Sequence, residues 1–184
     1  MHLTLDRPEK KNALTPAMYS DLAKALNSAK DDFDIRVVVI SGAGTAFTGG
    51  NDILDFMDTP PTGPDSPVMQ FLAVLHDFPK PLIAAVHGNA VGIGTTMLMH
   101  CDLVYATADA KLSMPFVSLG LVPEAGSSLL FPRLVGHVIA SEIFLTGRNF
   151  SGTEAHKMRL VNELTSDPLA KALEVAEVIA NQPP

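Results

Sequence analysis

KPLIAAVHGNAVGIGTTMLMHCDLVYAT, residues 80–107, sets a strand, a glycine-rich turn, a helix and a second strand in close succession. PLIAAVHG (81–88) is a short apolar run closed by glycine, the pattern of a strand buried on both faces. GIGTTMLMHCD (92–102) predicts a helix, and LVYAT (103–107) a further buried strand. Upstream, IRVVVISG (35–42) is another β-branched strand closed by glycine, and His2 to Leu5 alternates weakly as a strand. Between them Thr15-Pro16 is an N-cap followed by a first-turn proline. Met18, Leu22, Ala25, Leu26 and Ala29 then recur at helical spacing, so residues 16–30 are an amphipathic helix. Strands alternating with helices pack as layers joined by crossovers, so the fold class is α/β.

The remaining segments fit that alternation. LDFMDTPPTGPDSP (54–67) is rich in Pro, Gly and Asp and predicts a mobile surface loop. Ser66-Pro67 starts a helix with Val68, Phe71, Leu72 and Leu75 inward, and KLSM (111–114) is a short strand. Ser151 and Glu154 have capping-box spacing, and Pro168 to Gln182 is a last helix. No tandem repeat or low-complexity tract is present.

Composition limits the function. The 184 residues, 47 % apolar, suffice for one domain with a proper core. A net charge of −7 argues against nucleic acid and against an anionic membrane surface as partners. No apolar run reaches the roughly 18 residues that span a bilayer. The lone Cys101 leaves no internal disulfide and no cysteine-built zinc site. MHLTLDRPEKK lacks an apolar signal-peptide core, so a reducing, soluble compartment is the simplest reading. The first segment starts inside a strand and ANQPP stops just after a helix, which reads as a single domain over 1–184, incomplete at both ends.

Two glycine-rich turns follow buried strands: SGAGTAFTGGND (41–52) and HGNAVGIGTT (87–96). Such turns let backbone approach a ligand, and two of them can aim two N–H donors at one oxygen. Taken alone, each has a simpler explanation as a tight turn needing positive φ. A dinucleotide site is disfavoured, because Phe47 replaces the third glycine of the fingerprint and no acidic strand end follows at the ribose distance. The histidines have no pair at metal-ligand spacing, and His100 and Cys101 read as core residues. GLVPEAGSS (120–128) places Glu124 among apolar and small residues, with no Lys or Arg within eight positions. An unpaired carboxylate in such surroundings is costly and therefore a candidate functional group. The alternative is a carboxylate favoured by a helix N-terminus.

RPEKKNALT (7–15), GTAFTGGNDI (44–53), KPLIAAVHGNAVGIGTTMLMHCDLVYAT (80–107), KLSMPFVSLGLVPEAGSSLLFPRLVG (111–136) and LTGRNFSGTEAHKMRLVNEL (145–164), in this order, resemble the enoyl-CoA hydratase/isomerase family, the crotonase superfamily. SLGLVPEAGSS, TGGNDI and GNAVGI are similar to its peroxisomal-type Δ3,Δ2-enoyl-CoA isomerase branch. The resemblance implies a crotonase (ClpP/crotonase-like) spiral of repeated ββα units, with the C-terminal helical part truncated here. It implies a homotrimer or dimer of trimers, in a bacterial cytoplasm or a peroxisome. It implies an acyl-CoA substrate and no metal or other cofactor, coenzyme A arriving as part of the substrate.

Carried over by position, the resemblance makes the backbone N–H groups of Asn51 and Ile93 the oxyanion donors. Gly49, Gly50, Asn51, Asp52 and Ile53 border the acyl-CoA. Its adenine and phosphate end lies near Asn12, Ala13 and Phe47, with Lys10, Lys11 and Arg7 as phosphate contacts. Hydratases of the family hold two glutamates over the substrate, where this chain has the pocket residues Thr96 and Phe116. Neither can activate water. Glu124 stands where the isomerase branch has its single base, and Leu121, Val122, Phe116 and Leu129 are expected to raise its pKa. Asp52 is expected to brace the turn, and Asp102 to bond backbone.

Overall fold

In chain order the strands and helices are β1 (His2–Leu5), α1 (Pro16–Asp31), β2 (Val38–Gly42), α2 (Pro67–His76), β3 (Leu82–Val86), β4 (Asn89–Val91), α3 (Ile93–Thr96), β5 (Leu103–Ala106), β6 (Lys111–Ser113), α4 (Ser127–Val135), α5 (His137–Thr146), β7 (Phe150–Ser151), α6 (Gly152–Lys157), β8 (Glu163–Leu164) and α7 (Pro168–Ala180). This computed structural model describes residues 1–52, 55 and 63–183. Ile53 and most of the loop expected over 54–67 lie outside the described residues.

One sheet has the order β1-β2-β3-β5-β8, with every neighbouring pair parallel. Parallel neighbours need crossovers, and α1 and α2 supply the first two. The alternation of side chains splits each strand between two cores. Val38, Ile40, Leu82, Ala84 and Val86 join the core that includes α1 and α2. Val37, Val39, Ile83 and Ala85 pack with Ala172 of α7. Burial on both faces is why these strands read as unbroken apolar runs.

A smaller sheet has the order β4-β6-β7, with β4 parallel and β7 antiparallel to β6. β3 passes through Gly88 into β4, and then through Gly92 into α3, giving a ββα unit. At Gly88 φ is +58°, and a Cβ would meet the Thr45 carbonyl at 2.0 Å, so only glycine fits.

The local signals placed the caps correctly. Thr15 and Ser66 accept from Met18 and Met69 amides, and Ser151 and Glu154 form the capping box. The helix expected over 92–102 is instead α3 followed by a 3₁₀ turn at Met97–His100. The Asp102 carboxylate accepts from Leu82 N–H at 2.8 Å, drawing the chain into β5 beside β3. Lys80 closes the far end of α1: its Nζ donates to the carbonyls of Ala29, Asp32 and Ile35.

Candidate active site

The Gly49–Asp52 end of the first glycine-rich turn is tied by hydrogen bonds on either side of Asn51. Gly49 N–H donates to Lys11 O at 2.7 Å, Gly50 N–H to Thr48 Oγ1 at 3.1 Å and Asp52 N–H to Leu14 O at 2.9 Å. Between them the Asn51 N–H has no acceptor among the described residues. The Arg7 guanidinium donates to Asp52 Oδ2 at 2.7 Å, so Asp52 braces the turn as expected. Behind the turn, fully buried Asn12 accepts from Arg7 N–H and donates to the carbonyls of Ala43, Ala46 and Phe47. Asn12 holds φ at +56°, which asparagine tolerates better than most side chains.

The second turn locks onto the first. Thr48 N–H donates to Asn89 O at 2.9 Å, and Val91 N–H to Thr48 O at 3.1 Å. Gly50 lies over Val91 so closely that a Cβ would sit 2.7 Å from its carbonyl oxygen. Gly94 lies against Thr48, where a Cβ would meet Cγ2 at 2.5 Å. Gly92 donates to Ser113 O, while the Ile93 and Gly94 amides that open α3 have no acceptor among the described residues. The packing therefore leaves the N–H groups of Asn51 and Ile93 without an acceptor among the described residues, and both residues line the same cleft.

That cleft has a volume of about 460 Å³. Its walls come from two parts of the chain: Gly49, Gly50, Asn51, Val91, Gly92 and Ile93 of the glycine-rich turns, and Pro115, Phe116, Leu119, Leu121 and Glu124 of the segment after β6. Glu124 is the carboxylate among these lining residues. Burial pushes its pKa up, and a hydrogen bond from Thr96 Oγ1 to Oε1 at 2.6 Å opposes part of that rise. Ala125 and Gly126, the next two residues, both take left-handed conformations. His100 Nε2 donates to the Ala125 carbonyl at 2.8 Å, and Ser127 Oγ to the Glu124 carbonyl at 2.6 Å, fixing this bend. The Glu124 side chain does not cap α4.

Several expectations change. Asn12 and Phe47 are both 0 % exposed, so they are interior ties and not walls for an adenine or phosphate group. Arg7 is engaged by Asp52 and by the Ala13 carbonyl, and is not a free phosphate contact. Thr96 is fully buried behind Glu124 and does not line the cleft. Of the apolar residues expected around Glu124, Phe116 and Leu121 line the cleft with it. Val122 is 83 % exposed and Leu129 is 54 % exposed, so neither encloses it. Lys10 and Lys11 are exposed on a 3₁₀ turn, and Ala13 is half-buried beside them. Among the described residues no three His, Cys, Asp or Glu side chains gather as a metal site.

Sequence reasoning missed Tyr19 and His100 as parts of the site. Tyr19, on α1, is buried against Phe71, and its hydroxyl donates to Asn51 Oδ1. Burial, and secondarily the Glu124 carboxylate, hold its phenol well above the usual range. The available signal was a lone tyrosine in an inward-facing helix, whose hydroxyl requires a partner once buried.

A sequence profile described as enoyl-CoA hydratase/isomerase matches residues 1–184. The chain belongs to this family. Human enoyl-CoA delta isomerase 2 is 38 % identical over 172 residues, which is 90 % of this chain and 43 % of that protein. The chain thus spans less than half the length of that relative. The 1,2-epoxyphenylacetyl-CoA isomerase of Escherichia coli (strain K12) is 35 % identical over 196 residues, covering 100 % of this chain and 73 % of that one. The structure of Pseudomonas aeruginosa OdaA superposes with a TM-score of 0.96 at 52 % identity, over 100 % of this chain and 75 % of that chain. The fold is thus the crotonase α/β fold. Among the described residues no helix is long and apolar enough to cross a membrane.

Proposed function

We propose that this acyl-CoA enzyme shifts a double bond from C3 to C2 of an enoyl-CoA. Glu124 removes a proton from C2, and the C3=C4 electrons become part of a conjugated thioester enolate. The same carboxyl returns the proton at C4, leaving the double bond between C2 and C3, so no atom is gained or lost. In this reading the Asn51 and Ile93 N–H groups hold the enolate oxygen, and the exposed Lys10 and Lys11 meet the phosphates. The observation that carries this reading is a half-buried carboxylate, the one among the described lining residues, its basicity raised by burial, on the same cleft as two backbone donors without an acceptor among the described residues. Hydration is the weaker reading, since Phe116 cannot handle a proton and buried Thr96 already donates to Glu124.

The test is turnover of 3-enoyl-CoA and, separately, of 2-enoyl-CoA by the wild type and Glu124→Gln. Isomerisation should fall by about 10²–10⁴-fold in the variant, the usual worth of a general acid–base group. Hydration of 2-enoyl-CoA that survives the substitution would overturn the reading. Binding of both esters with turnover of neither would instead make the chain an acyl-CoA-binding protein.

A further inference from the structure

The oxyanion turn has a weakness that its chemistry does not tolerate. Gly49 and Gly50 give it conformational freedom, with Gly50 at φ +88°. The direction of the Asn51 N–H is that of the Gly50–Asn51 peptide plane, which turns with the torsions of Gly50, and a misaimed donor loses most of its value to a developing oxyanion. The neighbouring amides are fixed by hydrogen bonds of their own, but the Asn51 amide must stay unbonded to be useful. Leu14 N–H donates to Gly50 O at 2.8 Å and so holds one edge of the Gly50–Asn51 peptide, and the Asn51 side chain offers a second point at which it can be held.

We infer that Tyr19 is a positioning residue for this site, acting through the Asn51 side chain to aim the Asn51 backbone N–H. The inference rests on the proposed enolate chemistry and adds to it a residue outside the cleft wall. Tyr19 is 2 % exposed, and its ring is wedged against Phe71 of α2 at a centroid distance of 5.5 Å. Its hydroxyl donates to Asn51 Oδ1, linking the α1–α2 layer to a cleft residue whose amide has no acceptor among the described residues. The high pKa of the phenol keeps it a neutral donor while Glu124 ionises nearby. A smaller residue at position 51 would leave the backbone donor in place and remove this handle.

The experiment uses acetoacetyl-CoA, whose enolate absorbs in the near ultraviolet and reports stabilisation of an oxyanion without requiring turnover. Tyr19→Phe retains the ring and removes the hydroxyl. The enolate-to-keto ratio of bound acetoacetyl-CoA should fall roughly tenfold, the scale of one lost hydrogen bond. The Kd for butyryl-CoA, which forms no enolate near neutral pH, should change less than about twofold if only aim is lost. Asn51→Ala approaches the same bond from the other side, and adding Tyr19→Phe to it should produce no further fall. Thermal unfolding of each variant shows whether it is folded. An unchanged ratio in Tyr19→Phe overturns the inference, as does an additive loss in the double variant or the absence of enolate in the wild type. Enolate formation that depends on Tyr19 in a protein that does not isomerise 3-enoyl-CoA would sustain the inference and discard the reaction. Isomerisation with an indifferent Tyr19 would do the reverse.

Discussion

The two walls of the cleft are built on opposite plans. The wall carrying Asn51 and Ile93 is a lattice of short backbone hydrogen bonds, with Asn12, Arg7, Thr48 and Tyr19 tying it to the layers behind. The wall carrying Glu124 is largely apolar and outward-facing: Leu119 is 60 % exposed. It is held near the base by Thr96, His100 and Ser127. The difference follows from what each wall must do. A donor to an oxyanion works by direction, so its backbone must be fixed. A carboxylate base works by proton affinity, so it needs removal from water more than rigidity.

The sharpest way to break this contrast is Gly50→Ala. The new Cβ would press on the Val91 carbonyl at a backbone φ that alanine rarely adopts, and the turn must shift. Loss of aligned donors should reduce kcat by about 10²–10³-fold, measured with 3-enoyl-CoA, while Glu124 keeps its setting. A loss below tenfold would mean that the turn is more forgiving than its bonding indicates.

Thr96→Val tests the other wall. The Thr96 hydroxyl lowers the Glu124 pKa, so without it the carboxyl rises further. The base must be ionised to act, and the acid limb of the kcat/KM profile should therefore move to higher pH. On the acid side activity should fall by about tenfold, the scale of one hydrogen bond to a charged group, with less loss at alkaline pH. A uniform loss across pH would show that Thr96 shapes the cleft and leaves the basicity alone.

The smallest expected effect is on stability. The folded protein binds the Glu124 proton more tightly than the unfolded chain does. Stability from this group is therefore greatest below the ordinary value of 4.5 and declines as pH rises through the higher folded value. Glu124→Gln abolishes that decline. Its Tm should exceed the wild type's by about 2 °C near neutral pH, with the difference closing in acid. Calorimetry at two pH values checks this, and a lower Tm at neutral pH would identify Glu124 as a structural residue.

Much of the frame was legible in the sequence, and the omissions have causes. α4 and α5 escaped notice because apolar Leu129, Leu134, Val138 and Leu145 face outward and Pro132 lies within α4, which blurs any helical stripe. β7 and β8 are two residues each, too short to show an alternation. Asn12 and Phe47 belong to motifs of the site and are close to it in sequence, yet they are spent on internal bonds and packing. A motif identifies a neighbourhood and does not say which of its members faces the ligand.

By itself the sequence determined the alternation of buried strands with crossover helices, the caps at Thr15, Ser66 and Ser151, and the isolation of Glu124 from any cation nearby in the chain. These are local matters, set within a few residues by periodicity, turn chemistry and side-chain reach. Only the tertiary structure decided that Thr96 supports Glu124, that Tyr19 reaches Asn51 and that Arg7 is taken by Asp52, across separations of 28, 32 and 45 residues. It alone decided which amides would be left without an acceptor. A free donor is defined by everything packed around it, and that information exists only once distant segments have met.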